Sequence, residues 1–338
     1  MHKKFLPYLI DPVTKEALKL EITESRGDKV LTGFLLSSTS RFPIVNGIPR
    51  FAGYTTENYA ESFGYQWNKW SRIQFESDNV GSPMYGHTTN MWEKITGIKS
   101  EIKGQLVLDL GCGPGRFVEV AKEKGAMVIG LDYSMAVEAA AKNFKDDDNV
   151  CIIQGDALNL PICDAVVDGV FSIGVLHHTS NPEQGVKETA RILKKGGWFG
   201  LAVYSKGGYY DFPSVQFWRK IFKFLWPVLK HYPPLAYTYL TVYGLRPLKY
   251  MPFLDKVIRR VLPTVNSPDI RWALLDTFDS VTPSYQSAHE PFEVFQWFKK
   301  SGFVNIEPSD WGFTSFHGKK EADHAGNVTD QTNKNEAR

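Results

Sequence analysis

The stretch Val107-Leu108-Asp109-Leu110-Gly111-Cys112-Gly113-Pro114-Gly115-Arg116-Phe117 constrains this 338-residue chain more than any other. An apolar strand runs into a glycine-rich turn that opens a helix, and such a turn brings a ligand close to bare backbone at a helix N-terminus. Dinucleotide-binding folds place G-x-G-x-x-G at the same point, so the turn alone does not choose the ligand. Two details do. Gly111, Gly113 and Gly115 are spaced G-x-G-x-G around Cys112, and Asp109 stands two positions before the first of them. A carboxylate there repels a pyrophosphate but suits the ammonium and sulfonium of S-adenosylmethionine (SAM).

The flanking pattern predicts an α/β fold with a doubly wound parallel sheet over residues 105–204. Strands are expected at 105–110, 127–131, 150–154, 166–173 and 198–203, with helices at 116–124 and 135–144. A further helix is punctuated by Asn181 as N-cap, Pro182 at N1 and Glu183 in the first turn, with Lys194-Lys195-Gly196-Gly197 at its exit. Asp132 and Tyr133 end the second strand, where a carboxylate can grip both ribose hydroxyls of a nucleoside. Asp156 and Ala157 follow the third, within reach of an adenine amino group. Ser172, Ile173 and Gly174 end the fourth, where backbone can line the methionine half of SAM.

The ordered set DLGCGPG, GLDYS, GDA, FSIGVLHH and RILKKGGW resembles the class I SAM-dependent methyltransferases of the ubiquinone/menaquinone-type "methyltransferase 11" group, strongly over residues 60–205 and weakly beyond. The resemblance implies a Rossmann-like sheet of seven strands whose last is antiparallel, SAM as cofactor, and cofactor contacts at the residues just named.

Residues 1–54 form a separate, proline-punctuated unit in which 18–22 and 30–36 alternate at period two around Ser25-Arg26-Gly27-Asp28, the pattern of a β-hairpin. With its ending Arg41-Phe42-Pro43-Ile44-Val45-Asn46-Gly47-Ile48-Pro49, the unit resembles the zinc-ribbon-like tRNA-methyltransferase activator family. That family's Cys-Pro-x-Cys knuckle reads Asp11-Pro12-Val13-Thr14 here, so a thiolate zinc site is excluded and no metal site is expected. An interaction or packing role is the expectation. Cys112, Cys151 and Cys163 make no disulfide scaffold. The N-terminus lacks a long apolar run, and no run approaches the ~20 residues that span a bilayer, so a cytoplasmic location is the default.

Residues 55–104 are an aromatic linker and helical segment (Tyr59, Phe63, Tyr65, Trp67, Trp70, Tyr85, Trp92) that either pads the next domain or folds over a ligand. Residues 205–290 interrupt the sheet pattern, 291–318 restore it with a helix and a strand pair, and 319–338 are polar enough to expect disorder. Aromatics make up 14% of the chain and are dense in the insertion: residues 205–265 hold fourteen, with ten Lys/Arg against Asp211 and Asp255. Phe217, Ile221, Phe224 and Leu225 share one helical face, with Arg219, Lys220 and Lys223 on others. A basic amphipathic helix of this kind suits a lid that contacts a membrane surface or grips an anionic, partly apolar substrate, and equally an ordinary cap with solvated lysines.

A hydroxyl acceptor needs a base near the operating pH. His178, then His177, follow the fourth strand at the sheet's carboxyl edge and are the first candidates; His289 and Tyr285 are a second pair on the lid side. Three functions fit. One is methylation of a small molecule or a lipid/glycan intermediate, on oxygen. Another is action on tRNA or a translation protein, opposed by the net charge of only +2. The third is a non-catalytic SAM- or nucleotide-binding scaffold, opposed by the intact glycines. Oligomeric state is not read from the sequence.

Overall fold

The computed structural model describes residues 1–52, 58–283 and 285–322. A four-stranded antiparallel sheet comes first: β1 (Lys19–Arg26), β2 (Lys29–Leu36), β3 (Arg41–Val45) and β4 (Ile48–Pro49), in that order. Gly27 at φ +61° with Asp28 makes the tight β1–β2 turn. The unit is not a free module. Phe5, Leu9, Val30, Leu35 and Ile44 share one hydrophobic cluster with Ile153, Leu160 and Ile162 of the following domain. At its end Arg50, 5% exposed, ion-pairs Glu138 and donates to Gln154 Oε1 (3.0 Å), while the Phe51 N–H donates to the Gln154 carbonyl (2.8 Å). The chain thus covers an otherwise open sheet edge.

Where the activator family has its knuckle, the turn closes on a carboxylate. Asp11 Oδ1 accepts the Val13 and Thr14 N–H groups (2.8 and 3.2 Å), and Oδ2 accepts the Ser37 hydroxyl (2.6 Å). Burial pushes the Asp11 pKa up, but these donors together outweigh it and hold the group below the usual carboxylate range. Its stabilisation is therefore present above that range and fades as pH falls through the lowered value. Asp11→Ala is expected to cost about 1–3 kcal/mol in urea unfolding at neutral pH and less in strong acid.

Then follow α1 (Asn58–Lys69) and α2 (His87–Thr96), and the alternating core: β5 (Leu106–Leu110), α3 (Arg116–Glu123), β6 (Met127–Asp132), α4 (Ala136–Asn143), β7 (Val150–Gln154), β8 (Val167–Ile173), α5 (Pro182–Ile192) and β9 (Leu193–Val203). Asn181 caps α5 as its sequence predicts, accepting the Gln184 N–H at 3.1 Å. The insertion is four helices, α6 (Pro213–Leu229), α7 (Tyr232–Leu245), α8 (Pro252–Val261) and α9 (Ile270–Val281). After it come α10 (Pro291–Lys300), β10 (Phe303–Pro308) and β11 (Thr314–Lys320).

The main sheet runs β10-β11-β9-β8-β5-β6-β7, parallel except for β11, which is antiparallel to both neighbours. This is the doubly wound, seven-stranded Rossmann-like sheet that the sequence implies. β5 to β7 are buried along nearly their whole length, as strands covered on both faces must be. Lys319 and Lys320 belong to β11, paired across to Val304 and Phe303, so the polar tail begins later than its composition implies; residues 323–338 lie outside the described ones.

The approach segment has two roles. Trp92 is fully buried edge-on to Phe171 and Trp198, and Trp70 packs on Phe278, whereas Phe63 and Trp67 turn to a cavity. Tyr85 is exposed, and the Tyr59 side chain lies outside the described residues.

The insertion departs most from expectation. Helix α6 buries Val215, Arg219, Phe222 and Trp226 and exposes Phe217 and Phe224, so the face marked by Phe217 and Phe224 points outward and a different side packs inward. Arg219 is no surface cation. Its Nε donates to the Ser280 carbonyl at 2.7 Å, and Asp279, Tyr204, Tyr209 and Tyr210 surround it. The physical reason is α9, which no part of the sequence reading placed. Its Leu275, Phe278 and Val281 fill the space beneath α6 and α7, so α6 turns toward α9 the side that can pack there.

Candidate active site

The carboxyl ends of β5, β6 and β8 open into a cavity of about 840 Å³, roofed by α1, α9 and the segment around Tyr210. Its floor is the glycine turn. Gly111 (φ +87°) and Gly115 (φ +96°) are left-handed, and a Cβ at either would land within the side chains of Val175 and Phe144. Only glycine permits this close layering, and with it the bare backbone of Gly113 and Pro114 faces the cavity.

Asp132 lines the cavity at the tip of β6. It accepts the Gly113 N–H (2.9 Å) through Oδ2 and the Ser134 N–H and hydroxyl (2.8 and 2.7 Å) through Oδ1. Each carboxylate oxygen has two acceptor sites, so Oδ1 is filled and Oδ2 keeps one site for a ribose hydroxyl. Tyr133, Asp156, Ala157, Ile173 and Gly174 also line the cavity, with Asp156 shaped by the Leu158 N–H (2.8 Å). Cys112 lines it too, and burial pushes its thiol pKa well up.

Two expected cofactor contacts stand one layer back. Ser172 is fully buried and donates to the Leu110 carbonyl at 2.9 Å, tying β8 to β5. Asp109 is 1% exposed and absent from the cavity wall. Burial and the neighbouring Asp132 raise its pKa well above the usual value, and its Oδ2 has no partner among the described residues. A positive charge held above the turn would stabilise it through space rather than by the direct grip its sequence position implies. The glycine cradle, the receptive Asp132 and this unpaired carboxylate all fit SAM.

The four catalytic candidates separate. His178 and Tyr285 line the cavity; His177 and His289 do not. His178 Nδ1 lies 2.9 Å from the Tyr285 carbonyl, which can only accept, so the neutral ring carries its proton on Nδ1 and leaves Nε2 as an acceptor. Burial pushes its pKa down to about 3, which makes it a weak base at neutral pH. His177 is fully buried, stacked 3.6 Å from Tyr204, and its Nδ1 accepts the Tyr204 N–H at 3.3 Å. His289 is occupied by Ser287 (2.8 Å) and Glu293 (3.1 Å).

The structure adds a pair that went unread, Asp276 and Asp279. They lie three apart on α9, hence on one face, and both line the cavity. Gln74 donates to Asp276 (3.1 Å) and Gln66 to Asp279 (2.8 Å), which pins the insertion to the approach segment. Burial pushes the Asp276 pKa up to about 7, with Arg116 pulling it down and Asp279 pushing it up. Around them stand Tyr204 and Tyr210, stacked at 3.9 Å, and His87, edge-on to Trp272 and Trp311. The signal was present in Ile270-Arg271-Trp272-Ala273-Leu274-Leu275-Asp276-Thr277-Phe278-Asp279: two acids at i, i+3 in a helix rich in apolar residues.

Fold and site together have the form of a class I methyltransferase domain, and the cradle fits SAM as its cofactor. Comparison with known proteins agrees: residues 108–201 match the family described as "Methyltransferase domain". Among curated relatives, the chain is 35% identical over 118 residues to Probable tRNA methyltransferase 9B of Mus musculus, covering 34% of this chain and 25% of that one. It is 30% identical over 129 residues to demethylmenaquinone methyltransferase of Corynebacterium kroppenstedtii (38% and 55%). To 27-O-demethylrifamycin SV methyltransferase of Amycolatopsis mediterranei it is 31% identical over 129 residues (37% and 47%). The chain thus spans from a quarter to about half the length of these relatives. Of solved structures, a chain in the complex of the Haloferax volcanii Trm112 methyltransferase activator with a methyltransferase is similar at 16% identity and TM-score 0.47, covering 78% of this chain and 98% of that one.

Proposed function

We propose that this protein transfers a methyl group to a hydroxyl oxygen of a small-molecule or lipid/glycan intermediate, with Asp276 as the base. The observation that carries the reading is a carboxylate of near-neutral pKa on the wall of the same cavity as the glycine turn, inside an aromatic chamber. Bound SAM supplies a methyl group on a sulfonium, already activated for in-line displacement. Gly113 and Asp132 hold its nucleoside half. The protein's remaining work is alignment, exclusion of water and removal of one proton. Asp276, charged above about pH 7, takes the acceptor's hydroxyl proton, while Gln74 fixes its orientation and Arg116 supplies compensating charge. His178, with Nε2 as acceptor, and Tyr285 position the acceptor at the cavity rim. The names of two relatives, demethylmenaquinone methyltransferase and 27-O-demethylrifamycin SV methyltransferase, are in keeping with a small-molecule acceptor, and the second with methylation on oxygen.

The match to a tRNA methyltransferase supports a second reading, action on tRNA. Transfer of labelled methyl from SAM into fractionated extracts separates the two. Label in an ether or ester of the organic-soluble fraction supports the first. Label in tRNA supports the second, and SAM binding with no label in any fraction supports a non-catalytic scaffold.

A further inference from the structure

Fifteen of the 23 large hydrophobic residues exposed among the described residues fall between 212 and 261. They form stripes. On α6, Phe217, Phe224 and Val228 recur at i, i+7 and i+11; on α7, Tyr232, Tyr239 and Tyr243 recur at the same spacing with Leu240 beside them. Helix α8 is amphipathic yet buries none of its residues. Asp255, Ile258 and Arg259 face inward, where Arg259 pairs with Asp255 (2.7 Å) and reaches the Leu245 and Thr264 carbonyls (3.4 and 3.3 Å), while Phe253, 82% exposed, Val257 and Val261 face out. An amphipathic helix that leaves Phe253, Val257 and Val261 exposed has an apolar partner outside the chain.

The surrounding charge identifies the partner. Lys220, Lys223, Lys230, Arg246, Lys256 and Arg260 are exposed around the stripes, and the single acid among residues 212–261, Asp255, is turned inward to Arg259. A second copy docking symmetrically would set cation against cation, and protein interfaces deplete lysine at their centres. An anionic lipid surface satisfies both features, taking aromatic side chains below the headgroups and lysines and arginines among them. We infer that α6, α7 and α8 form a docking face for an anionic membrane. Because Lys223 on α6 also borders the cavity, docking would set the cavity mouth near the headgroups. The inference extends the lipid branch of the proposed function but does not require it, since vesicle binding is measured without methyl transfer.

The test is flotation of the full chain with vesicles of phosphatidylcholine alone or with about 30% phosphatidylglycerol. The expected result is co-flotation with the anionic vesicles only, reduced about tenfold or more in Phe224→Asp/Phe253→Asp and in Lys220→Glu/Arg260→Glu. All four side chains are exposed, so both variants should keep the wild-type melting profile and its shift with SAM, which reports on the cofactor site independently. No flotation by the wild type, or flotation indifferent to both variants, overturns the inference. So does self-association in sedimentation velocity that Phe224→Asp/Phe253→Asp abolishes, which would make a second copy the occupant.

Discussion

Asp276→Asn is expected to lower kcat for methyl transfer by about 100- to 10,000-fold while leaving SAM affinity within about twofold, the range lost when a positioned base is removed. The amide keeps the shape of the carboxylate and can still meet Gln74, so folding should be spared. The pH profile distinguishes this base from the histidine beside the cavity. A proton acceptor works only when deprotonated, so wild-type turnover should fall as pH drops through about 7, the value to which burial raises Asp276. A limb near 3 would instead report His178. If Asp276→Asn retains wild-type turnover and the limb at 7, the carboxylate is not the base. Substitution of Asp279 should displace the limb toward lower pH rather than remove it, because its charge is one of the causes of the elevation.

Asp132→Ala should weaken SAM binding by about 10- to 100-fold in calorimetry, since one charge-assisted hydrogen bond to a ribose hydroxyl is lost at about 1.5–3 kcal/mol. The same change frees the Gly113 N–H and both Ser134 donors, so some loss of affinity will come from a loosened turn. A dideoxyribose analogue of S-adenosylhomocysteine isolates the direct part. Wild type should bind it far more weakly than the parent compound, whereas Asp132→Ala should bind the two about equally. Equal discrimination by both proteins would place the ribose elsewhere.

What was legible in the sequence follows local rules. Strand–turn–helix periodicity, the glycine spacing and the Asn181 cap are set within a few residues, so the order of the core and the cofactor half of the site could be read directly. Which acids touch the ligand was less accessible. Both Asp109 and Asp132 lie near strand ends, but only Asp132 reaches the cavity, because the register sets Asp109 beside Gly130, two residues deeper in the sheet than Asp132.

Of the acceptor half, His178 and Tyr285 were legible in the sequence, but the acidic pair was decided by tertiary structure. Asp276 and Asp279 acquire meaning only when α9 lies across the sheet's carboxyl edge and meets Gln66 and Gln74, some two hundred residues earlier in the chain. The same packing set the orientation of α6. Periodicity showed that the helix has two unlike faces, but the sequence held no measure of which one α9 would cover. It buried Arg219 among tyrosines and left Phe224 outside. Amphipathic pattern determines that a helix has a side to bury; the neighbour against which it packs, chosen over long sequence separations, determines which side that is.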